Sequence, residues 1–219
     1  MNAKGKNAMN RIQKVGLVIA AVALTTVASR SYGMAENWSA ANTRFLTLQG
    51  GTTGVASGSL IEIGTNSLSV SAMQALQDNP AGLDAAFIQW ATSVVGDNTG
   101  LDGTWSTSSS GAGAGFFGAQ IYLLAYNAST AALATQVGLY TNPAWTFPTS
   151  DAAVANALDL ADAGTVAIIG ALSTGTVQTP AAIQGGDAAS LHQVVPEPSS
   201  IALVGMGLLG LLGLRRRHS

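Results

Sequence analysis

At 219 residues, with 47% hydrophobic and 9% charged side chains and no cysteine, the chain has room for one ordinary domain with short appendages and enough apolar surface for a core. These figures exclude stacked modules, a highly charged disordered chain, disulfide scaffolds, thiolate metal sites and cysteine nucleophiles. No lysine or arginine lies between Phe45 and Leu214, while all eleven acids lie between Glu36 and Glu197; the middle is an anion without cations to neutralise phosphates, which excludes nucleic acid as a partner.

The N-terminus carries Lys4, Lys6, Arg11 and Lys14 before the apolar run from Val15 to Leu24, and small residues follow as far as Gly33-Met34-Ala35. A basic region, a short apolar region and small residues before a break are the parts of a secretory signal, expected over residues 1–35, with signal peptidase and the Sec export machinery as partners. The exported chain is expected to begin near Glu36, with cleavage after Gly33 or near Ala28 as the alternatives.

Residues 36–172 form the exported domain. No repeat of roughly 20 to 50 residues is visible, which argues for one compact unit. Phe45–Gln49 and Ser59–Ile63 alternate apolar and polar residues and predict two short strands joined by the glycine-rich turn Gly50–Gly54. Asp78-Asn79-Pro80 predicts a helix start, and Leu83, Phe87, Trp90 and Val94 continue it as one buried stripe. The Ser, Thr, Gly and Ala stretch from Thr104 to Gly115 predicts a mobile loop. Ala119–Asn127 has the density of a central strand, Thr135–Tyr140 returns beside it, and Trp145-Thr146-Phe147-Pro148 ends a strand because proline cannot donate to a ladder. Ser150-Asp151 would cap a short helix carrying Val154, Leu158 and Ala161, and Thr165–Ile169 would be the last strand. The fold class expected is mainly β, a small antiparallel sheet or sandwich with one or two short helices, flanked by a signal peptide and a C-terminal transmembrane helix. Residues 173–194, rich in Thr, Ala, Gly and Gln, read as a flexible spacer.

The last segment, residues 195–219, opens with Val195-Pro196-Glu197-Pro198, continues as an uncharged apolar run over about 199–214, and ends in Arg215, Arg216 and Arg217. As a helix the run would span about 24 Å, a little short of a ~30 Å hydrocarbon core, a gap that thinning or arginine snorkelling covers. The arginines and the basic N-terminus both favour the cytoplasmic side. The precursor is then an inner-membrane hairpin with residues 36–195 outside, and the two prolines keep the peptide above the membrane extended. In this order the parts resemble the PEP-CTERM sorting signal of Gram-negative bacteria. The resemblance implies recognition by an exosortase, with Pro196, Glu197 and Pro198 as recognition residues and Arg215, Arg216 and Arg217 as the cytoplasmic stop; a plain tail anchor that is never processed is the alternative. The segment Ile121–Ala128, Gly138-Leu139-Tyr140 and Trp145–Pro148 are similar to a recurrent type of PEP-CTERM ectodomain, a likeness that implies a location and no activity.

The catalytic inventory of the exported part is thin. It lacks Lys and Cys, and its single histidine, His192, lies in the expected spacer. Asp97 with Asp102, and Asp159 with Asp162, are the nearest carboxylate pairs for glycosidic chemistry, although such acids more often cap turns or stay solvated. The loop Gly96–Gly103 lacks the EF-hand spacing of calcium ligands. No catalytic residue, cofactor or metal ligand is expected. The function expected is that of an exported, non-enzymatic surface or matrix protein, sorted through its tail and associated with exopolysaccharide or biofilm. An anionic exterior would repel anionic polymers, so association would use neutral sugars, divalent cations or the fate of the tail. The alternative is a carbohydrate-binding or glycoside-cleaving domain with Trp105, Trp145, Tyr126 or Tyr140 as a sugar platform; their exposure on one face would favour it, and their burial a structural role.

Overall fold

The computed structural model describes residues 34–40, 43–151, 156–174 and 186–195. The domain is mainly β. Strands β3 (Leu60–Asn66), β4 (Phe87–Val94), β6 (Gln120–Tyr126), β7 (Gln136–Thr146) and β12 (His192–Gln193) form a sheet in the order β12-β7-β6-β3-β4, with β9 (Val166–Ile169) also paired to β7. Two three-stranded sheets accompany it. One has β1 (Met34–Ala40) between β5 (Trp105–Gly111) and β8 (Asn156–Asp159), and the other has β11 (Asp187–Ser190) between β10 (Ala171–Ser173) and β2 (Arg44–Thr47). The large sheet is antiparallel throughout, as expected, whereas the two smaller sheets are mixed, because β1 pairs with β8, and β11 with β2, in parallel. The helices are α1 (Val70–Gln74), capped by Ser69, and α2 (Pro80–Ala86), capped by Asn79.

The large sheet is apolar on both faces, and its alternation assigns each side chain to a layer. Ile121 and Leu123 of β6, with Ile61 and Ile63 of β3, pack against Trp38, Leu46 and Trp105 from the smaller sheets. Leu124 and Tyr126, with Val137 and Leu139 of β7, pack on the opposite face with Met73 of α1 and Leu83 of α2. Each buried Trp, Leu or Ile contributes roughly 1.5 to 3 kcal/mol by leaving water. The smaller sheets are tied in by hydrogen bonds, of which Tyr140 Oη to the Ser190 carbonyl, 2.9 Å, is buried. Gly170 (φ +94°) makes that crossing possible: a Cβ there would lie 2.3 Å from the same carbonyl oxygen.

Several expectations change. The predicted strands at Phe45–Gln49 and Ser59–Ile63 exist as β2 and β3, but they join different sheets and do not form a hairpin. The helix beginning at Asn79-Pro80 stops at Ala86. Phe87–Val94 is strand, because its aromatic and β-branched residues pair antiparallel with β3 and only mimic a helical stripe; Leu83 and Phe87 are buried while Val94 is exposed. The predicted loop at Thr104–Gly115 contains β5, which pairs with β1 along its whole length and buries Trp105. The predicted helix bearing Leu158 is replaced at that point by β8, which lies parallel to β1. The strand at Thr165–Ile169 is present as β9 but is not the last. Within the expected spacer, residues 186–194 are docked to the fold, because small side chains such as Ala188 and Ala189 fit a crowded interior position. At the other end, β1 begins at Met34, which is fully buried, and Ala35 pairs with Ser110, so the last two residues of the expected signal are packed in the folded unit. The expected membrane span at 199–214 and residues 1–33 of the expected signal lie outside the described residues; among the described residues no helix is long and apolar enough to cross a membrane.

Two carboxyl groups are buried in this core. Glu36 lies on the inward face of β1, where burial raises its pKa to about 7, partly opposed by Asn156. Glu62 lies on the helix-covered face of β3, where burial and, next, the neighbouring Asp84 raise its pKa to about 7; Tyr126 Oη donates to Asp84 Oδ1 at 3.2 Å. Because both values lie above those of the unfolded chain, the folded chain holds protons that the unfolded chain releases. The stability they confer is complete below about pH 4.5 and is lost as pH rises through about 7. Glu36→Gln and Glu62→Gln are each expected to flatten that decline and to raise stability at pH 8 by roughly 1 to 3 kcal/mol, read by urea denaturation of the exported protein.

Candidate functional site

The C-terminal end of the described fold is held residue by residue. Leu191 N–H donates to Thr47 O at 2.9 Å, β12 pairs with β7 through His192↔Val137 and Gln193↔Gln136, and Val194 N–H donates to Thr135 O at 2.8 Å. Gln136 Nε2 also donates to Gln193 Oε1 at 3.0 Å, so the facing side chains reinforce the ladder. The last described residue, Val195, donates its N–H to Asp78 Oδ1 at 2.9 Å, and the same oxygen lies 3.0 Å from His192 Nε2. Asp78 is in the turn between α1 and α2, where Pro80 and Leu83 are buried and keep the turn seated. The Val195 N–H and then His192 hold the Asp78 carboxyl below its ordinary pKa, so it is ionised at neutral pH. Both partners are partly exposed, at 26% for His192 and 35% for Asp78, so the pair is wet and weak. Pro196, next in sequence, has no N–H with which to continue a ladder.

His192, the one histidine of the exported part, therefore sits against an acid. No serine or threonine hydroxyl is hydrogen-bonded to its ring among the described residues, so a Ser-His-Asp relay is not assembled. Asp97 accepts from Ser93 Oγ at 2.7 Å, and Asp102 accepts from both the N–H and the hydroxyl of Ser57, at 2.8 and 2.9 Å. The two acids are thus engaged by different serines. Asp159 and Asp162 are brought together, but as turn and packing acceptors. Asp162 Oδ2 takes the Asp159 N–H at 3.0 Å and Trp145 Nε1 at 2.8 Å, while Asp159 takes the Ala161 N–H at 2.8 Å and Ser39 Oγ at 2.7 Å. Both acids line an open groove of about 320 Å³, together with hydroxyls of β1 and β5 such as Ser39, Ser106 and Ser108. Trp105, Trp145, Tyr126 and Tyr140 are all buried, so none presents a ring to a sugar.

Pro196, Glu197, Pro198, Arg215, Arg216 and Arg217 lie outside the described residues. Asp78 was not legible as part of this site: its partners are 114 and 117 residues away, and its spacing suggests only a helix start.

No curated protein and no solved structure matches the chain. A family model, the PEP-CTERM protein-sorting motif, matches residues 194–217. Its first two residues are therefore Val194 and Val195, the pair whose N–H groups are bonded to Thr135 and Asp78. The motif implies an exosortase as processing partner, export, and a membrane-held precursor before processing. The folded β domain thus ends inside a PEP-CTERM protein-sorting motif, which the chain carries at residues 194–217.

Proposed function

We propose that this chain is an exported, non-enzymatic structural protein of the cell surface or extracellular matrix, delivered by exosortase processing of its tail and associated with exopolysaccharide or biofilm. The sorting motif at 194–217 supports the delivery route. The observation that carries the structural reading is the burial of all four candidate platform aromatics, at 0% exposure for Trp105, Tyr126 and Tyr140 and 3% for Trp145. Aromatic faces supply a protein's sugar-stacking surface, and here they are spent on the core. The acids that could flank a glycosidic bond are likewise occupied by local donors.

A second reading has one observation in its favour, the groove lined by hydroxyls together with Asp159 and Asp162. Such a groove suits a neutral sugar held by hydrogen bonds alone. On a glycan array, the protein recovered from cells is expected to bind no neutral glycan above background. Binding that Asp159→Ala abolishes would shift the function to the second reading, and hydrolysis of any polymer would overturn the non-enzymatic one.

The N-terminal signal is part of the same proposal, with its cleavage after Gly33 or upstream. Cutting after Ala35 would remove buried Met34, and emptying a buried Met position costs about 2 to 5 kcal/mol. Intact-mass measurement of the exported form is expected to show a first residue at or before Met34 and the absence of Arg215 to Arg217. A chain starting at Glu36 would refute this cleavage site alone, whereas a mass retaining both ends in every fraction would refute the delivery route.

A further inference from the structure

We infer that Asp78 is a positioning residue for tail processing: its carboxylate latches the first residues of the sorting motif to the folded domain, and the tail is removed from the unlatched form. The inference rests on the exosortase reading and adds to it what this domain does to its own signal.

The argument begins with which backbone donors the signal has. Pro196 and Pro198 have no N–H, so between Val194 and Pro198 the donors are those of Val194, Val195 and Glu197. An enzyme that binds an extended peptide does so largely through main-chain hydrogen bonds flanking the bond it cuts. Two of the three donors are already committed, Val194 to Thr135 O and Val195 to Asp78 Oδ1. Domain and enzyme therefore compete for the same groups.

The latch is also built to open locally. Its outer part consists of one carboxylate oxygen shared by His192 and Val195, partly exposed, together with the two-residue strand β12. The part behind it is firm: Leu191 is 1% exposed and bonded to Thr47, and Ala188 and Ala189 are buried in the sheet with β2. Opening therefore stops at Leu191. It frees His192 to Val195, adding about 13 Å of extended chain between the domain and Pro196 at ~3.3 Å per residue.

The test follows loss of a C-terminal epitope from the full chain by pulse-chase, in cells that contain the cognate exosortase. Asp78→Ala is expected to speed tail removal about five-fold, the equivalent of one exposed pair and its hydrogen bond, with protease resistance of the domain retained. Asp78→Asn should fall between, since its amide oxygen still accepts from Val195 but carries no charge for His192. The converse variant is Gln136→Cys with Gln193→Cys, at directly facing positions in a chain without other cysteines. Its disulfide should hold the latch shut and slow removal about ten-fold, with reductant restoring the rate. The double variant decides the matter alone if Asp78→Ala fails to fold. Removal at the wild-type rate from a folded Asp78→Ala chain, or from the oxidised double-cysteine chain, would overturn the inference and leave the delivery route standing. A wild-type chain that never loses its epitope would overturn the delivery route and the latch with it.

Discussion

Strand β6 buries side chains on both of its faces, and much of the architecture follows from the need to cover them. Ile121 and Leu123 point one way, Leu124 and Tyr126 the other, and β3 and β7 repeat the pattern beside it. A sheet in this state must acquire two covers, since antiparallel sheets elsewhere often leave one face to water. On one side the cover is two short helices and their connecting turns. On the other it is two small sheets gathered from distant parts of the chain. The cover on that second side includes β1, the first strand, and β11, nearly the last. The covering requirement therefore draws both ends of the domain inward, and at the C-terminal end the sorting motif begins directly after β12.

Legibility in the sequence followed the range of the interactions. The central strand at Ala119–Asn127, its return at Thr135–Tyr140, the cap at Asn79-Pro80 and β9 all carry their signal within a few residues, and the structure has them in place. Segments whose state depends on a distant partner were misread. β5 is a run of serines and threonines that becomes a strand because β1, some 70 residues earlier, supplies seven facing residues. β4 carries apolar residues at helix-like spacing, yet its pairing with β3 outweighs that pattern. For β8 and β11 the partner strands run parallel, an arrangement that needs a long crossover and leaves no turn signature. At the tail the motif was legible in full, whereas the Asp78 contact was not, because a single carboxylate in a turn looks like a cap.

Charge is used sparingly inside this fold. Arg44, the only lysine or arginine among the described residues, spans β2 to Asp187 at 3.4 Å and to the Leu160 carbonyl at 3.1 Å, joining segments that pack over the large sheet. Among the described residues, Glu36 and Glu62 have no cationic partner. Their burial raises their pKa values instead of ionising them in place, which is the cheaper outcome in a domain that carries almost no basic side chains.

The overlap at Val194 and Val195 joins these threads. A sorting signal placed after a long slack linker would be indifferent to the domain it follows, and any folded cargo would serve. Here the signal's first residue extends the pairing of β12 through the Thr135 carbonyl, and the oxygen that receives the second belongs to a turn seated by the helical cover. The condition of that turn depends on α2 being packed over β6. A chain whose core has not closed cannot present Asp78 in position, so the N–H of Val195 meets a different partner in folded and unfolded cargo. Folding and sorting share atoms in this protein, and the coupling needs only one carboxylate, one imidazole and one backbone N–H.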